Sequence, residues 1–245
     1  MQLKLASINI EGSRHLARVE SFLKFHKPDV LCLQELHSTD IHLFEDLFGN
    51  KLHYIPMCLH ASGDGSSIGI GIIGWTNLSD VTAQLYHGPA IPQLPVFVTE
   101  ADGYHMTDPA SISNSLLAAT CQGFRIATTH LMVTRQGVAT PLQLQTAASL
   151  ISLAEAEAAR AGGLLLCGDF NAPRGRATFS LLADHFIDGV PAEYTTSIDG
   201  SLHRAGQLPY MVDGLFHTPT YQLEHATLHT GVSDHRALTC TLSKA

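Results

Sequence analysis

The first thirty residues show a strand-like pattern followed by a helix-like one. Residues 3–10 alternate apolar and polar side chains, which predicts a strand. Between residues 16 and 23 the apolar side chains recur at helical spacing and form one face of a predicted helix. Ser13 precedes this run and is a candidate cap, whereas Lys27 and Pro28 end it. The chain therefore begins with a strand and an amphipathic helix.

A second strand and helix follow directly. Residues 29–34 are an almost continuous apolar run, which is typical of a strand covered on both faces. Ser38 or Thr39 can cap a short helix over residues 41–47, and Gly49 supplies its end. The amino-terminal fifth of the chain thus predicts the order strand, helix, strand, helix.

The middle of the chain changes to short strand-like segments. Clusters of Gly, Pro, Ser and Asp separate them, as in antiparallel hairpins. The segments are residues 52–57, 68–75, 81–86, 115–120 and 124–131. Residues 69–74 contain the glycine spacing of dinucleotide-binding loops, but no helix follows them, so a strand rich in small residues is favoured.

Helix returns in the last hundred residues. Residues 144–161, rich in Ala, Leu and Glu, follow Pro141, and Gly162 ends them before an apolar strand over 164–167. A shorter helix is predicted over 178–185. Three closing strands are predicted over residues 210–217, 221–228 and 237–242.

The order of these elements favours one α/β domain over residues 1–245. The sequence shows no internal repeat and no Pro/Ser linker. Residues 89–113 are Pro-rich and irregular, but they lie between two predicted strands, so we interpret them as a surface loop near a site. Buried strands, hairpins and helices together suggest two packed sheets with helices outside.

The net charge of the chain limits the kinds of substrate that it is expected to bind. The 245 residues contain 22 Asp and Glu against 14 Lys and Arg, a net charge of −8. Between Lys51 and Arg125 there is no basic residue except histidine. Tight nonspecific DNA binding depends on Lys and Arg at phosphates, so a small or weakly charged substrate fits this composition better.

Cysteine usage and hydropathy suggest a location. The five cysteines share no CxxC spacing and lie mostly in apolar runs, which predicts reduced core residues. No apolar run reaches the length of a membrane span, and residues 1–7 lack the apolar block of a signal peptide. We therefore expect a cytoplasmic protein with no membrane span, and nothing in the sequence predicts a protein partner.

Carboxylates, amides and imidazoles recur where predicted strands end. Chains leaving a sheet at one edge present such side chains into a shared crevice. The residues are Asn9, Glu11, Glu35, His130, Asp169, Asn171, Asp213, Asp234 and His235. Several carboxylates without a thiolate suit Mg²⁺ or Mn²⁺, and an Asp beside an Asn can orient a water. These are the components needed for phosphate ester hydrolysis.

Six motifs containing these residues occur in order along the chain. They are Ile8-Asn9-Ile10-Glu11-Gly12, Leu33-Gln34-Glu35, Thr129-His130-Leu131, Gly168-Asp169-Phe170-Asn171, Val212-Asp213-Gly214-Leu215 and Ser233-Asp234-His235. The ordered set resembles the endonuclease/exonuclease/phosphatase superfamily from end to end. This resemblance implies a DNase I-like, four-layer αββα sandwich of two mixed β-sheets flanked by helices, with a Mg²⁺ site.

The resemblance also implies a metal site. Glu35 would be the principal ligand, with Asn9 and Glu11 beside it. Asp234 would be a further ligand or would organise the metal site. The expected cofactor is Mg²⁺, with Mn²⁺ as a possible substitute.

Catalytic roles follow from the same resemblance. Asp169 would align or deprotonate the attacking water, and Asn171 and His130 would bind the nonbridging phosphate oxygens. His235, paired with Asp213, would stabilise the pentacovalent phosphate or transfer a proton. The sequence leaves open whether Asp169 or His235 is the base.

Phosphate contacts outside these motifs are less specific. Arg174 and Arg176 follow the Asp-Asn turn and could contact phosphate or lie in a solvated loop, and Ser233 is a further candidate. Residues 74–76 are Gly-Trp-Thr where many relatives carry a Ser-Arg or Ser-Lys pair, which removes an expected basic contact. The remaining histidines, such as His42, His87 and His203, are expected to be exposed.

Three functional hypotheses result. The first is a divalent-metal-dependent phosphoesterase that hydrolyses a phosphodiester or phosphomonoester, on a small molecule or a short nucleic acid, by direct attack of water. The second is an endonuclease or exonuclease on DNA or RNA, whose basic groove would use Arg14, Arg135, Arg174, Arg176, Arg204 and Arg236. The third is a noncatalytic binding module on the same fold, which would be expected to lose residues such as Glu35 or His235.

Overall fold

The computed structural model describes residues 2–91, 93–97 and 111–245, and most of the predicted loop over 89–113 lies outside the described residues. The described residues form twelve strands and four helices. In chain order these are β1 (Gln2–Asn9), α1 (Leu16–His26), β2 (Val30–His37), α2 (Ile41–Phe48), β3 (His53–Leu59), β4 (Ser67–Gly74), β5 (Ser79–His87), β6 (Asn114–Cys121), β7 (Phe124–His130), α3 (Pro141–Ala161), β8 (Leu165–Asp169), α4 (Ala177–Ala183), β9 (Ile187–Asp188), β10 (Asp213–His217), β11 (Tyr221–His229) and β12 (Ala237–Lys244).

The strands form two six-stranded mixed sheets. Sheet 1 has the order β11-β12-β1-β2-β4-β3, and sheet 2 has the order β5-β6-β7-β8-β10-β9. Each sheet has one parallel pair near its centre, β1 with β2 and β7 with β8, and its other pairs are antiparallel. The predicted hairpins of the middle segment are confirmed in β3–β4, β5–β6 and β6–β7.

Three apolar clusters separate four layers. The inner faces of the two sheets share one cluster, which includes Leu5, Ile72, Ile126 and Leu215. Helices α1 and α2 pack on the outer face of sheet 1, where Phe22 and Phe44 belong to one cluster. Helices α3 and α4 cover the outer face of sheet 2 in the same way. The predicted αββα sandwich is therefore confirmed.

Some of the predicted helix caps and helix ends are confirmed and others are wrong. Gly49 and Gly162 end α2 and α3 in the left-handed conformation, as expected. The hydroxyl of Thr140 accepts from Gln143 N–H and caps α3. The predicted cap at Ser13 is wrong, because α1 begins after His15 and the Ser13 hydroxyl instead donates to Asp40 Oδ2 at 2.5 Å.

Two further details differ from the sequence pattern. Neither Ser38 nor Thr39 caps α2, because both lie in a short 3₁₀ turn that precedes it. The strand predicted over 210–217 begins only at Asp213, because the Tyr210 carbonyl accepts from Ser197 N–H at 3.0 Å rather than from a neighbouring strand. Strand β9 has two residues, too few for a periodicity signal.

All five cysteines are buried and form no disulfide, as expected. None of the helices within the described residues has the length and apolar character needed to cross a membrane. The parallel pairs β1–β2 and β7–β8 face each other across the inner core, with β8 in contact with β1 and β2. A hydrogen bond between Asn9, the last residue of β1, and Asp169, the last residue of β8, places the carboxyl ends of both pairs at the same edge of the sandwich.

Candidate active site

Side chains from both sheets meet at this edge. Asn9 is the last residue of β1 and lies beside Gln34 of β2, one residue before Glu35. His130 and Asp169 are register partners at the ends of β7 and β8, and Asp213 begins β10 opposite Asp169. The antiparallel strands β10 and β12 start at the edge where the parallel strands end, so Asp213 and His235 join the same cluster.

Asn9 connects the two sheets. Its side-chain amide Nδ2 donates to Glu35 Oε1 at 3.0 Å and to Asp169 Oδ2 at 3.1 Å. Its Oδ1 accepts from Glu11 N–H at 3.2 Å. Asn9 is 1% exposed, so both of its amide hydrogens are committed to carboxylates in a dry environment. One amide thus fixes the separation of two acidic groups from different sheets.

The Asp169–Asn171 turn builds the second part of the site. Asp169 Oδ1 accepts from Asn171 N–H at 2.8 Å, and Asn171 Nδ2 donates to the Leu131 carbonyl at 2.9 Å. The same amide nitrogen lies 2.9 Å from His130 Nε2, which in turn lies 3.5 Å from Asp169 Oδ2. Both oxygens of Asp169 therefore have fixed partners, and Asn171 and His130 lie beside it as a pair.

His235 and Asp213 form a buried pair next to Asp169. The distance from His235 Nδ1 to Asp213 Oδ2 is 2.8 Å, and to Asp169 Oδ2 it is 3.9 Å. Burial by itself would lower the pKa of His235, but the charges of Asp213 and Asp169 outweigh it and raise that pKa well above its ordinary value. The protonated form of the imidazole is therefore favoured beside these two carboxylates.

Asp213 is held by a residue that the sequence did not reveal. The hydroxyl oxygen of Ser197 accepts from the N–H groups of Val212 at 3.0 Å and Asp213 at 3.1 Å. Ser197 is fully buried in the loop between β9 and β10. Ser197 acts by accepting hydrogen bonds from the backbone of another segment, so no sequence motif marks it.

Glu11 and Asp234 meet with a third residue, His15. Each of these three offers an atom within 4.8 Å of the other two. His15 Nε2 lies 3.0 Å from Glu11 Oε2. The separation of four residues between Glu11 and His15 is the one sequence signal for this contact. Burial, together with the neighbouring charge of Glu11, raises the pKa of Asp234.

Three residues of the cluster have left-handed backbone. The φ angle is +50° at Glu11, +53° at Glu35 and +48° at Asn171. Each such conformation costs about 1–3 kcal/mol in a residue other than glycine and persists where the surrounding structure enforces it. The surrounding structure therefore enforces this backbone conformation, which sets the direction of the three side chains.

The donor set fits a hard divalent cation. Glu35, His130 and Asp169 offer atoms within 4.8 Å of one another, as do Asp169, Asp213 and His235. Carboxylate and amide oxygens are the ligands that Mg²⁺ and Mn²⁺ prefer. Burial is the main cause of the raised pKa of Asp234, the charge of Glu11 adds to it, and a bound cation would offset both effects.

One ring nitrogen of His130 is unsatisfied. Among the described residues, its Nδ1 has no hydrogen-bond partner although the atom is buried. An orphaned buried nitrogen in a cluster of this kind commonly indicates a place for water, an ion or a ligand.

Arg174, one of the three predicted phosphate contacts, has several partners within the protein. Arg174 donates to the carbonyls of Val190, Pro191 and Tyr194, and its Nη2 lies 2.7 Å from Asp188 Oδ2. The guanidinium therefore holds the loop after β9.

Ser233 and Arg176 are likewise engaged. Ser233 is fully buried, and its hydroxyl donates to Asp234 Oδ1 at 3.2 Å, which orients that carboxylate. Arg176 donates to the Gln136 carbonyl, and its guanidinium lies 5.0 Å from the centre of the Tyr210 ring. Arg174 and Arg176, which the sequence predicts as phosphate contacts, thus both have partners within the protein.

The Gly-Trp-Thr segment lies away from the site. Gly74 pairs with Val30 at the start of β2, the end opposite to Glu35, and Trp75 stacks on Phe48 at 4.7 Å between ring centres. The interpretation of this segment as a missing substrate contact is therefore wrong, since the segment follows a strand that leaves the site.

Comparison with known proteins agrees with this geometry. The model of the Endonuclease/Exonuclease/phosphatase family matches residues 6–235. A search of curated proteins found no significant match. Among solved structures, the catalytic domain of human Nocturnin with bound sulfate is 16% identical, with a TM-score of 0.70 over 100% of this chain and 95% of that one.

Two bacterial structures are similar to the same degree. A mannosyl-6-phosphatase from Bacteroides thetaiotaomicron is 14% identical, with a TM-score of 0.70 over 98% of this chain and 99% of the other. A 3′ phosphatase from Neisseria, bound to its product DNA hairpin, is 21% identical, with a TM-score of 0.67 over 97% and 98%. At these identities the structures show a shared fold. The family match over nearly the whole sequence, on that fold, means that the chain belongs to the endonuclease/exonuclease/phosphatase family of phosphoester hydrolases.

Proposed function

We propose that this protein is a Mg²⁺-dependent phosphoesterase that cleaves a phosphodiester or phosphomonoester by direct attack of water. The observation that carries the proposal is the bridge of Asn9 Nδ2 to Glu35 and Asp169, at 3.0 and 3.1 Å. It places an acidic group suited to a cation beside one suited to orienting a water. The His235–Asp213 pair lies within 3.9 Å of the second carboxylate.

Glu35 is the proposed principal ligand of the cation, and Asn9, Glu11 and Asp234 are the proposed further ligands. Glu35 lies in one group of candidate ligands with His130 and Asp169, whereas Glu11 and Asp234 lie in another with His15. A bound Mg²⁺ would supply polarisation of a phosphoryl oxygen and stabilisation of negative charge. Ser233 orients Asp234 through its hydroxyl. His15 holds Glu11 in place, which makes it a positioning residue for this group.

Asp169 is the proposed acceptor for the attacking water. Its two oxygens are held by Asn171 N–H at 2.8 Å and by Asn9 Nδ2 at 3.1 Å, so the carboxylate cannot rotate freely. A fixed acceptor reduces the entropy that must be lost when water is placed for attack. The raised pKa of His235 favours its protonated form, so we propose Asp169 rather than His235 as the base.

Asn171, His130 and His235 are the proposed contacts to the phosphoryl oxygens. Asn171 Nδ2 donates to His130 Nε2 and to the Leu131 carbonyl, and would exchange one of these partners for a phosphoryl oxygen. His235 brings an imidazole fixed by Asp213. Preorganised donors and charges of this kind stabilise the charge that develops in the transition state. His130 Nδ1, which has no partner among the described residues, is free for a water or substrate contact.

The test is hydrolysis of four substrates with and without Mg²⁺. These are an aryl phosphodiester, an aryl phosphomonoester, single-stranded DNA and an abasic-site duplex. Glu35→Gln should reduce kcat about 100-fold or more, because it removes the main charge for the cation, and His235→Ala should do the same. EDTA should abolish activity. Exposed Glu20→Gln in α1 is the matched control and should act as wild type.

Binding gives a second readout that does not require the right substrate. Mg²⁺ should raise the Tm of wild type and of Glu20→Gln, but not that of Glu35→Gln. Strong loss of activity with salt on DNA would assign the protein as a nuclease rather than a small-ester hydrolase. Folded protein that neither binds Mg²⁺ nor cleaves any of the four esters would contradict the proposal and favour a noncatalytic binding module.

A further inference from the structure

Gln143 is a polar side chain buried beside the loops of the candidate site. It is the third residue of α3, and the cap of this helix fixes its backbone, because the Thr140 hydroxyl accepts from Gln143 N–H at 3.1 Å. The side chain is fully buried. A buried carboxamide is costly unless its polar atoms have partners. The partners of Gln143 therefore indicate what this side chain does.

Its amide nitrogen joins the loops that follow β7 and β8. Gln143 Nε2 donates to the Met132 carbonyl at 3.0 Å and to the Asn171 carbonyl at 3.3 Å. Met132 lies two residues after His130, the end of β7, and Asn171 lies two residues after Asp169, the end of β8. One side chain thus connects the backbone of both loops.

A residue of α4 sets the orientation of this carboxamide. The Thr178 hydroxyl donates to Gln143 Oε1 at 2.8 Å, and Thr178 is itself buried. Carbonyl oxygens only accept hydrogen bonds, so the carboxamide must turn its nitrogen toward Met132 and Asn171. The hydroxyl satisfies the remaining oxygen and holds the carboxamide in this orientation.

The bond to the Asn171 carbonyl acts on a residue in a costly conformation. Asn171 has a φ of +48°, its N–H donates to Asp169 Oδ1, and its side chain donates to the Leu131 carbonyl. Gln143 fixes the remaining polar group of Asn171, its carbonyl, whose direction depends on the ψ angle. Without this bond the carbonyl can rotate and the left-handed backbone can relax. The direction of the Asn171 side chain therefore depends on Gln143.

The spacing between Asn171 and His130 depends on the same two loops. Asn171 Nδ2 lies 2.9 Å from His130 Nε2, and both residues are proposed contacts to the phosphoryl oxygens. Groups that stabilise the charge of a transition state must be placed accurately, and a misplacement of about 1 Å can slow a reaction about 100-fold. A side chain that fixes both loops thus affects catalysis from a distance.

We propose that Gln143 is a positioning residue, which holds the loops after β7 and β8 at the separation at which Asn171 and His130 bind the phosphoryl group. The inference rests on the proposed phosphoesterase function. Gln143 acts through the two loop carbonyls. Its loss should therefore slow the chemical step more than it weakens substrate binding, since the contacts to the phosphoryl oxygens strengthen as charge develops.

The first test is kinetic. Gln143→Leu has a similar size and lacks both donors. On the ester that the wild type hydrolyses best, kcat should fall about 10–100-fold, and KM should change less than about threefold. Gln145→Leu, at an exposed glutamine of the same helix, is the matched control and should act as wild type. Glu157→Ala, which removes a buried partner of Arg125, controls for lost stability and should keep kcat per folded molecule.

A pair of substitutions at Thr178 tests the same role without changing Gln143. Thr178→Val removes the hydroxyl that donates to Gln143 Oε1 and leaves the shape of the side chain nearly unchanged. It should lower kcat about threefold to tenfold, because the carboxamide loses its fixed orientation. Thr178→Ser keeps the hydroxyl and should restore most of the wild-type rate. This pair also decides the question if Gln143→Leu does not fold.

NMR of the free protein gives a readout that does not require activity. Selective ¹⁵N labelling of the five asparagines gives five side-chain amide signals, and Asn171→Asp assigns that of Asn171. Gln143→Leu and Thr178→Val should shift this signal. The signal of Asn50, whose side chain donates to the Gly74 carbonyl at the far end of β4, should stay in place.

The outcomes separate this inference from the one on which it depends. A wild type that hydrolyses no ester contradicts the proposed function, and the Asn171 signal alone then decides whether Gln143 holds this residue. With an active wild type, an unshifted Asn171 signal, an unchanged kcat or a loss confined to KM overturns the role of Gln143 and leaves the phosphoesterase intact. A lowered kcat, recovery in Thr178→Ser and a shifted Asn171 signal support it.

Discussion

The side chain of Glu35 reaches the site because its backbone adopts a conformation that glutamate ordinarily avoids. Its φ of +53° falls at a shift in the register between β2 and β4, between Leu33 and Leu36. An extra residue of this kind redirects the side chain out of the regular alternation of the strand. At the residue scale, therefore, part of the folding free energy is used to hold functional groups in place.

This strain can be measured with a pair of variants. Glu35→Gly and Glu35→Ala both remove the carboxylate, but only glycine adopts positive φ without a Cβ penalty. Glu35→Gly should therefore have a free energy of unfolding about 1 kcal/mol higher than Glu35→Ala in urea. The same pair at Glu20, in helix α1, is the control and should show the opposite order, since glycine weakens a helix. Equal stability of the two Glu35 variants would mean that the position is not strained.

The charge on His235 gives a pH prediction. Its folded pKa is raised above the value of the unfolded chain, so its stabilising contribution is complete below about pH 6.5 and is lost as pH rises through the folded pKa. Asp213→Asn removes one of the two anionic neighbours and should lower the pKa of His235 by about 1–3. NMR titration of the labelled imidazole in EDTA measures this. Exposed Asp46→Asn in α2 should leave the titration unchanged, whereas an unaltered pKa in Asp213→Asn would refute the assignment.

At the scale of elements, a buried ion pair joins α3 to sheet 2. Arg125 of β7 is completely buried, and its Nη2 lies 2.7 Å from Glu157 Oε2 of α3. Thr82 and Gln84 of β5 donate to Glu157 Oε1 at 3.0 and 2.8 Å. The helix is thus connected to two strands by one carboxylate, away from the candidate site.

Removing that carboxylate should be costly. Glu157→Ala leaves Arg125 buried without its main partner, which typically destabilises a protein by about 3–5 kcal/mol. Urea unfolding should show this loss, and activity per folded molecule should be retained, because the network does not contact the site residues. The exposed Glu155, on the same helix, is the control, and Glu155→Ala should cost less than about 1 kcal/mol. A small effect at Glu157 would indicate that the pair is not a main link between α3 and the sheet.

At the scale of the whole molecule, the two sheets share one apolar interior. The cluster between them contains Leu3 and Leu242 from the ends of the chain together with Ile72, Leu117 and Leu165 from its middle. Because the inner faces of the two sheets share this one cluster, we propose that residues 1–245 fold as one domain.

Cooperative unfolding follows from that proposal. Far-ultraviolet circular dichroism, which reports the helices and strands, and Trp75 fluorescence, which reports the packing of α2 on sheet 1, should give coincident urea transitions. Mg²⁺ should move both midpoints upward together, since it binds the folded form. Two separate transitions would contradict a single domain.

The strand and helix order could be read from the sequence because it depends on local patterns. The hydrophobic period specifies each element locally. Gly49 and Gly162 end helices, and Thr140 caps one, through residues close to them in sequence. The Ser13 and Ser38 caps failed because their hydroxyls found partners elsewhere, at Asp40 and at Ser67 N–H. A local signal was there overridden by contacts that only the folded chain creates.

By itself the sequence determined the family, the class of chemistry and the residues that end strands at the candidate site, because residue type and order along the chain encode these. Only the tertiary structure decided which side chains meet. Asn9 and Asp169, joined at 3.1 Å, are 160 residues apart. Ser197 and Arg174 take their places through contacts with other segments, Ser197 with the N–H groups of Val212 and Asp213, and Arg174 with the carbonyls of residues 190 and 194. The packing of the two sheets, which local periodicity does not specify, places those segments together.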